Sequence, residues 1–334
     1  MTLEELENEL SRPTEADIAF MRRLKDDVLI LGAGGKMGPS LAQMVRNAAT
    51  AAGASVRVIA VSRFSSEHAR RLLSDSGVET ISCDLLDRDA LRALPDAANV
   101  LFLVGRKFGS TANQPLTWAT NVLAPALVAE RYRSSRIVAL SSGNVYPLSQ
   151  GASTEQTPTA PVGEYAQSVL GRERIFEYFS ALNSTPVALL RLNYAIDLRY
   201  GVLLDIGERV WQRRPVSLAV KAVNVIWQRD ANSFCLRALE LASSPAYVLN
   251  ITGAETIGVR SIAERFGEIF GIEPVFEGME TDTALLSDAS LSHRLLGPPE
   301  VGTEQMIAKT AEWIRSSQPT LNKPTYFEVR DGRF

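Results

Sequence analysis

The stretch LILGAGGKMG is the first that could do chemistry. It sets Gly32, Gly35 and Gly38 in a G-x-x-G-x-x-G spacing, with Gly34, Lys36 and Met37 between them. Glycines so spaced permit a tight strand-to-helix turn. They also let backbone amides approach a pyrophosphate at the N-terminus of the following helix. A glycine-rich turn without a ligand is the alternative, and context argues against it: an apolar run precedes the motif and a helical pattern follows. The next apolar run ends in Ser62 and Arg63, where an NAD site would place a carboxylate for the ribose hydroxyls. An arginine fork with a serine beside it suits a 2′-phosphate, so NADP is favoured over NAD, and Lys36 would add positive charge. Asp84, in SCDLLD, either accepts from an adenine amino group or caps a helix. Arg106 and Lys107, in LVGRKFGST (103–111), follow another apolar run, at the sheet edge where such proteins keep their cleft. His68 and His293 are the only histidines, and neither sits in a ligand-spaced cluster, so metal catalysis and Ser-His-Asp hydrolysis are poorly supported.

These residues need a scaffold, and the pattern along the chain supplies one. Short apolar runs read as strands at 27–34, 55–63, 78–85, 98–105, 135–146 and 185–193, with helical segments between them. That alternation implies right-handed βαβ units and a parallel, doubly wound α/β sheet of Rossmann type. The spacing predicts one long helix over 114–133, kinked at Pro125, and another over 163–182. Residues 1–26 read as a helical extension, 27–193 as the dinucleotide-binding domain, and 194–334 mainly as a smaller C-terminal substrate lobe. AYVLNITG in that lobe is expected to rejoin the sheet, and NKPTYFEVRDGRF reads as a tail. Composition is that of an ordinary globular chain, 46% hydrophobic and 22% charged. A net charge of −3 gives no basic field for nucleic acid. No apolar run reaches the roughly 20 residues of a membrane span, and no secretory signal is seen. Cys83 and Cys235, far apart, fit reduced thiols in the cytoplasm.

In order along residues 27–270, GAGGKMG, CDL, TNVLAPALVAE, SSGNVY, Tyr165 with Glu173, LLRLNYA and VLNITG resemble the extended short-chain dehydrogenase/reductases of the NAD-dependent epimerase/dehydratase type. The resemblance implies NAD or NADP in the N-terminal domain and a substrate, often a nucleotide sugar, against the C-terminal lobe. It implies catalytic roles for Ser142 and Tyr165, which would hold and exchange a proton with the reacting oxygen. Cofactor contacts would fall on the glycine loop, Ser62, Arg63, Asp84, Leu85, Val104, Gly105 and Asn121. Substrate contacts would fall on Arg106, Lys107, Ser142, Asn144, Asn193 and Arg199. Homodimerisation through the 114–133 and 163–182 helices is a further family habit.

One departure matters. The family's lysine, four residues after the tyrosine, is here Val169. That lysine binds the nicotinamide ribose and lowers the phenol's pKa from near 10. Arg172 lies two turns along, about 10 Å by axial rise, too far unless its side chain folds back. Lys107, or else Arg106, would replace the charge, bind an anionic group of the substrate, or do neither. Gly143 and Asn144 follow Ser142, so the family's Asp-Glu dehydratase signature is absent. The leading expectation is NAD(P)-dependent redox chemistry or epimerisation on a sugar-like, anionic substrate. The alternative is a sensor or regulatory protein that holds the cofactor without turning it over.

Overall fold

A computed structural model describes residues 1–65 and 67–334. Seven parallel strands form the central sheet. Six are β1 (Val28–Leu31), β2 (Val58–Ser62), β3 (Glu79–Ser82), β4 (Asn99–Phe102), β5 (Arg136–Ser142) and β6 (Val187–Leu192). The seventh strand, Tyr247–Ile251, pairs with β6, so AYVLNITG does join the sheet. The order across the sheet is seventh–β6–β5–β4–β1–β2–β3, with the reversal between β1 and β4. The β1 side chains Val28 to Leu31 are all buried, as expected of a strand covered on both faces. Leu31 pairs with Val61 on one side and Phe102 on the other, so these strands end level, at one edge of the sheet. Ligands bind outside such a reversal point, at the carboxyl ends of the strands.

Apolar residues cover both faces of the sheet. Leu41, Val45 and Phe234 pack on one, and Phe102, Tyr132 and Phe176 on the other. A separate cluster around Trp227, Phe266 and Trp313 forms the core of the C-terminal part. The N-terminal extension is two helices, Leu3–Leu10 and Glu15–Arg23, each opened by a capping box, Thr2 with Glu5 and Thr14 with Asp17. Leu6 and Leu10 enter the C-terminal core, while Phe20, Met21 and Leu24 pack on the sheet. The extension therefore ties the two cores together, and each fully buried leucine contributes about 1.5–3 kcal/mol.

The 114–133 segment differs from a simple kinked helix. It runs Gln114–Trp118, a π turn Ala119–Leu123, then Ala124–Arg131, with Pro125 opening the last piece. Pro125 has no N–H to give the carbonyl four residues back, and the wider turn absorbs that loss. The helix Gly163–Asn183 has 21 residues and packs on β5 and on Ala124–Arg131. Among the described residues no helix is long and apolar enough to cross a membrane, and no cluster of three metal-ligating side chains occurs. Cys83 and Cys235 are buried free thiols. The side chain of His68 lies outside the described residues, and the ring of His293 bonds the Thr252 carbonyl at 3.0 Å.

Candidate active site

A cleft of about 820 Å³ opens at the carboxyl ends of β1, β4 and β5. The glycine loop forms its floor between β1 and the helix Gly38–Ala52. A Cβ on Gly38 would lie 2.4 Å from the Ala33 oxygen, and one on Gly34 would lie 2.6 Å from Ser62 Oγ. Gly32 has φ +90 and abuts Val104, so the loop cannot carry side chains at these points without moving. Gly32, Gly34, Gly35, Met37 and Gly38 all line the cleft, with Pro39 and Ser40 of the helix's first turn. The loop and helix end therefore fit a dinucleotide's pyrophosphate.

At the end of β2, Arg63 is exposed and forms no side-chain bond among the described residues. Lys36 does not join it. Its ammonium donates to the Ala195 carbonyl at 3.1 Å and sits 4.0 Å from the Tyr200 ring centre, on the substrate side. Asp84 accepts from the Leu86 N–H at 3.0 Å, and the helix Arg88–Arg92 is capped by Asp87 instead. Leu85 is buried in the core and Gly105 lines the cleft.

Ser142 ends β5 and caps a short 3₁₀ turn, Gly143–Val145. Its Oγ accepts from the Asn144 backbone at 3.2 Å and from Asn144 Nδ2 at 3.0 Å. Both bonds use oxygen lone pairs, so the hydroxyl proton is left to donate into the cleft. Tyr165, in the first turns of Gly163–Asn183, lines the same cleft and meets the Phe334 ring edge-on at 5.7 Å. Val169, one turn on, is fully buried against Val145 and Tyr146.

The helix that carries Tyr165 is locked beneath the site. Glu173 takes a two-pronged ion pair from Arg191, at 2.9 and 2.7 Å, and the Ser141 hydroxyl. Arg191 also donates to the Tyr146 hydroxyl at 2.8 Å, which donates to Asn250 at 2.7 Å. Burial alone would lower the Arg191 pKa, but the Glu173 carboxylate more than reverses this and holds it above its ordinary value. Arg191 is thus buried in the scaffold, its guanidinium committed to Glu173 and Tyr146.

The 103–111 loop is clasped by Asn121, in the π turn. Its side-chain oxygen accepts from Arg106 N at 2.8 Å and from Arg172 Nη2 at 3.0 Å, and its amide donates to the Arg106 carbonyl and to Ser168. The Arg106 side chain turns back to the Gly109 carbonyl, and its Nε is buried without a partner. Lys107 does line the cleft. Its ammonium donates to the Thr325 carbonyl at 3.0 Å and sits 4.4 Å from the Phe334 ring centre. Burial lowers the Lys107 pKa to about 8, against the attraction of Asp205 and Glu328. Burial also lowers Lys36 to about 8, against Asp197 and helped by Lys107 and Arg199. Asn193 is bonded to Asn224 at 2.7 Å, and Arg199 to Asp197 at 2.7 Å and Glu7 at 3.2 Å, at the cleft wall.

Arg172, two turns beyond Tyr165, meets the loop rather than the tyrosine. Its side chain is buried and donates to the Leu140 carbonyl at 2.7 Å as well as to Asn121. A Cβ on Gly105 would lie 2.8 Å from Arg172 Nη2, so only glycine leaves room for it there. Its Nε is buried without a partner. Burial lowers its pKa to about 10, against the attraction of Tyr165 and Glu173. The signal in the sequence was the seven-residue spacing from Tyr165 on one helix face.

A parallel sheet with a glycine loop at its reversal point, facing a serine and a tyrosine across one cleft, defines a dinucleotide-binding α/β protein. The NAD dependent epimerase/dehydratase family matches residues 28–195, just over half of the chain. The chain belongs to that family, a family of enzymes. No curated protein sequence matches it. Solved structures are similar in fold. An epimerase of Methanothermobacter thermautotrophicus aligns with TM-score 0.74 and 19% identity, over 91% of this chain and 96% of that one. UDP-glucose 4-epimerase of Thermotoga maritima, with UDP-glucose, aligns with TM-score 0.72 and 18% identity, over 87% and 99%. UDP-glucuronic acid 4-epimerase of Bacillus cereus, with NAD, gives the same TM-score, identity and coverage.

Proposed function

We propose that the protein is a cytoplasmic, NAD(P)-dependent oxidoreductase or epimerase acting on a hydroxyl or carbonyl of a sugar-like, anionic substrate. The observation that carries this reading is that Ser142 and Tyr165 line one cleft with the glycine loop. The glycine loop and the amides of Gly38–Ala52 would hold the pyrophosphate. Arg63, exposed at the end of β2, favours a 2′-phosphate and hence NADP. The dinucleotide, when bound, accepts or returns a hydride. Ser142, its Oγ fixed by Asn144, donates its proton to the substrate oxygen and orients it. Tyr165 takes the proton from that oxygen, or gives one back, as general base or acid. Arg172 and Lys107 supply the positive charge that Val169 cannot. Lys107 and Lys36 hold the substrate's anionic group. Neither lysine forms an ion pair among the described residues, which leaves their charge for a ligand. Gly143 and Asn144, not carboxylates, follow Ser142 in the chain, so dehydration is not proposed. Two copies associate through the 114–131 and 163–183 helices.

Tyr165→Phe and Ser142→Ala test the reading, with dinucleotide oxidation or reduction followed against sugars, sugar acids and nucleotide sugars. Each should lower kcat by about 10²–10⁴-fold while leaving dinucleotide affinity intact. Tight dinucleotide binding with no turnover by the unaltered chain would instead favour the sensor reading, in which Val169 leaves the lysine's role unfilled.

A further inference from the structure

The C-terminal segment Thr325–Phe334 is not loose. It runs back across the substrate side of the cleft and is fastened at five places. Thr325 donates from its N–H to Asp205 at 2.8 Å and from its hydroxyl at 2.5 Å. Phe327 is buried in the C-terminal core and Glu328 pairs with Arg209 at 3.0 Å. Arg330 donates to the Ala219 carbonyl at 3.2 Å and the Thr283 carbonyl at 2.8 Å, and to the hydroxyls of Thr281 at 3.0 Å and Thr283 at 2.6 Å. Gly332, at φ +72, lies backbone to backbone against Gly163, at φ +82, the first residue of the helix that carries Tyr165. A Cβ on Gly332 would lie 2.2 Å from the Val162 oxygen, and one on Gly163 would lie 2.4 Å from the Gly332 oxygen. Beyond these anchors Phe334 stands against Tyr165 and under the Lys107 ammonium.

The space left by this strap is small. Between it and Asn144, Tyr146, Tyr194 and Leu285 remains a cavity of about 40 Å³, room for a few water molecules. The large cleft runs from the glycine loop past Ser142 and Tyr165 to Lys323 and Thr325, where the strap begins. We infer that the segment Thr325–Phe334 sets substrate size: it restricts the protein to compact hydroxylated anions, such as sugar acids or sugar phosphates, and excludes nucleotide sugars. The inference rests on the redox reading of the Ser142 and Tyr165 site and names its substrate class. The anion would be received by Lys107 and Lys36, which line the cleft.

The experiment titrates UDP-glucose into the full chain by calorimetry, with and without dinucleotide, and repeats it with Arg330→Ala and Gly332→Val. Arg330→Ala removes four hydrogen bonds from the strap, and Gly332→Val drives a side chain into the Val162 backbone. The first variant leaves the backbone contact intact, so it serves if the second fails to fold. The unaltered chain should show no binding up to millimolar UDP-glucose, and release of the strap should raise affinity at least tenfold. Micromolar binding by the unaltered chain would overturn the inference. So would equal behaviour of the unaltered chain and both variants, bound or unbound. Dinucleotide titration alone reads the proposed function: its failure would sink that reading while the UDP-glucose comparison still reports on the strap.

Discussion

Val169 stands where the resemblance implies a lysine, and Lys107 and Lys36 line the cleft while Arg172 is buried behind Gly105 and Leu140. Arg172 reaches Asn121 and the Leu140 carbonyl, while Lys107 donates to the Thr325 carbonyl and Lys36 to the Ala195 carbonyl. The two lysines differ from a surface lysine because burial lowers both to about 8. The sign of the consequence follows. The charged form is lost as pH rises through about 8, so anion binding should be strongest below that pH and weaken above it. Sulfate titrated across this range should bind progressively less tightly on the alkaline side, and Lys107→Gln should weaken binding and flatten the profile. An affinity that does not change through pH 8 would remove the lysines from anion binding. Arg63 gives a second prediction at this scale. Charge-assisted hydrogen bonds to a phosphate contribute about 1.5–3 kcal/mol, so Arg63→Asp should cut NADP affinity by roughly 10–100-fold and favour NAD. Unchanged relative affinity for the two dinucleotides in a direct titration would rule out the arginine as their discriminator.

The helix Gly163–Asn183 holds Tyr165 through a buried pair rather than through an apolar stripe. Arg191, on β6, and Glu173 are 4% and 0% exposed, and each uses most of its polar atoms on the other or on Ser141 and Tyr146. Removing one partner leaves a buried, unpaired charge. Arg191→Ala should therefore cost about 3–5 kcal/mol in denaturant unfolding, whereas a paired apolar replacement of both residues should cost much less. Loss below 1 kcal/mol would show that the pair does not set the helix. The strands were legible because their runs, such as VLIL and VIAVS, are apolar on both faces and end at glycines or polar residues. The glycine loop was legible for the same reason, since chain geometry dictates its composition. The π turn was not, because a proline's missing N–H can be absorbed by a kink or by a wider turn, and neighbours decide which. The partners of Arg172, Asn121 and the Leu140 carbonyl, were not legible because axial rise measures backbone and not the reach of a long side chain. NKPTYFEVRDGRF reads as a tail by composition alone, and its anchors, Asp205, Arg209 and Thr283, are distant in sequence.

At the scale of the whole molecule, the helices flanking the tyrosine leave apolar surface uncovered. Trp118 and Leu123 are 39% and 46% exposed, and Tyr178 and Leu182, one turn apart on the second helix, are 60% and 61% exposed. The two helices pack closely enough for Gly171 to touch Val122 and Trp118, so these side chains share one side of the molecule. Large apolar side chains gathered in this way mark an interaction surface, and a two-fold axis would bury the same patch on both copies. The proposed pairing of these helices gives the patch a partner of matching chemistry. A stable interface of this kind buries about 1,200–2,000 Å² in total, so a charge at its middle should break it. Sedimentation equilibrium should find a dimer for the unaltered chain and a monomer for Tyr178→Glu with Leu182→Glu. Because Ser142, Tyr165 and the glycine loop all line a cleft within one chain, dinucleotide affinity should survive dissociation. A monomer from the unaltered chain, or a dimer that ignores both substitutions, would place the interface elsewhere or remove it.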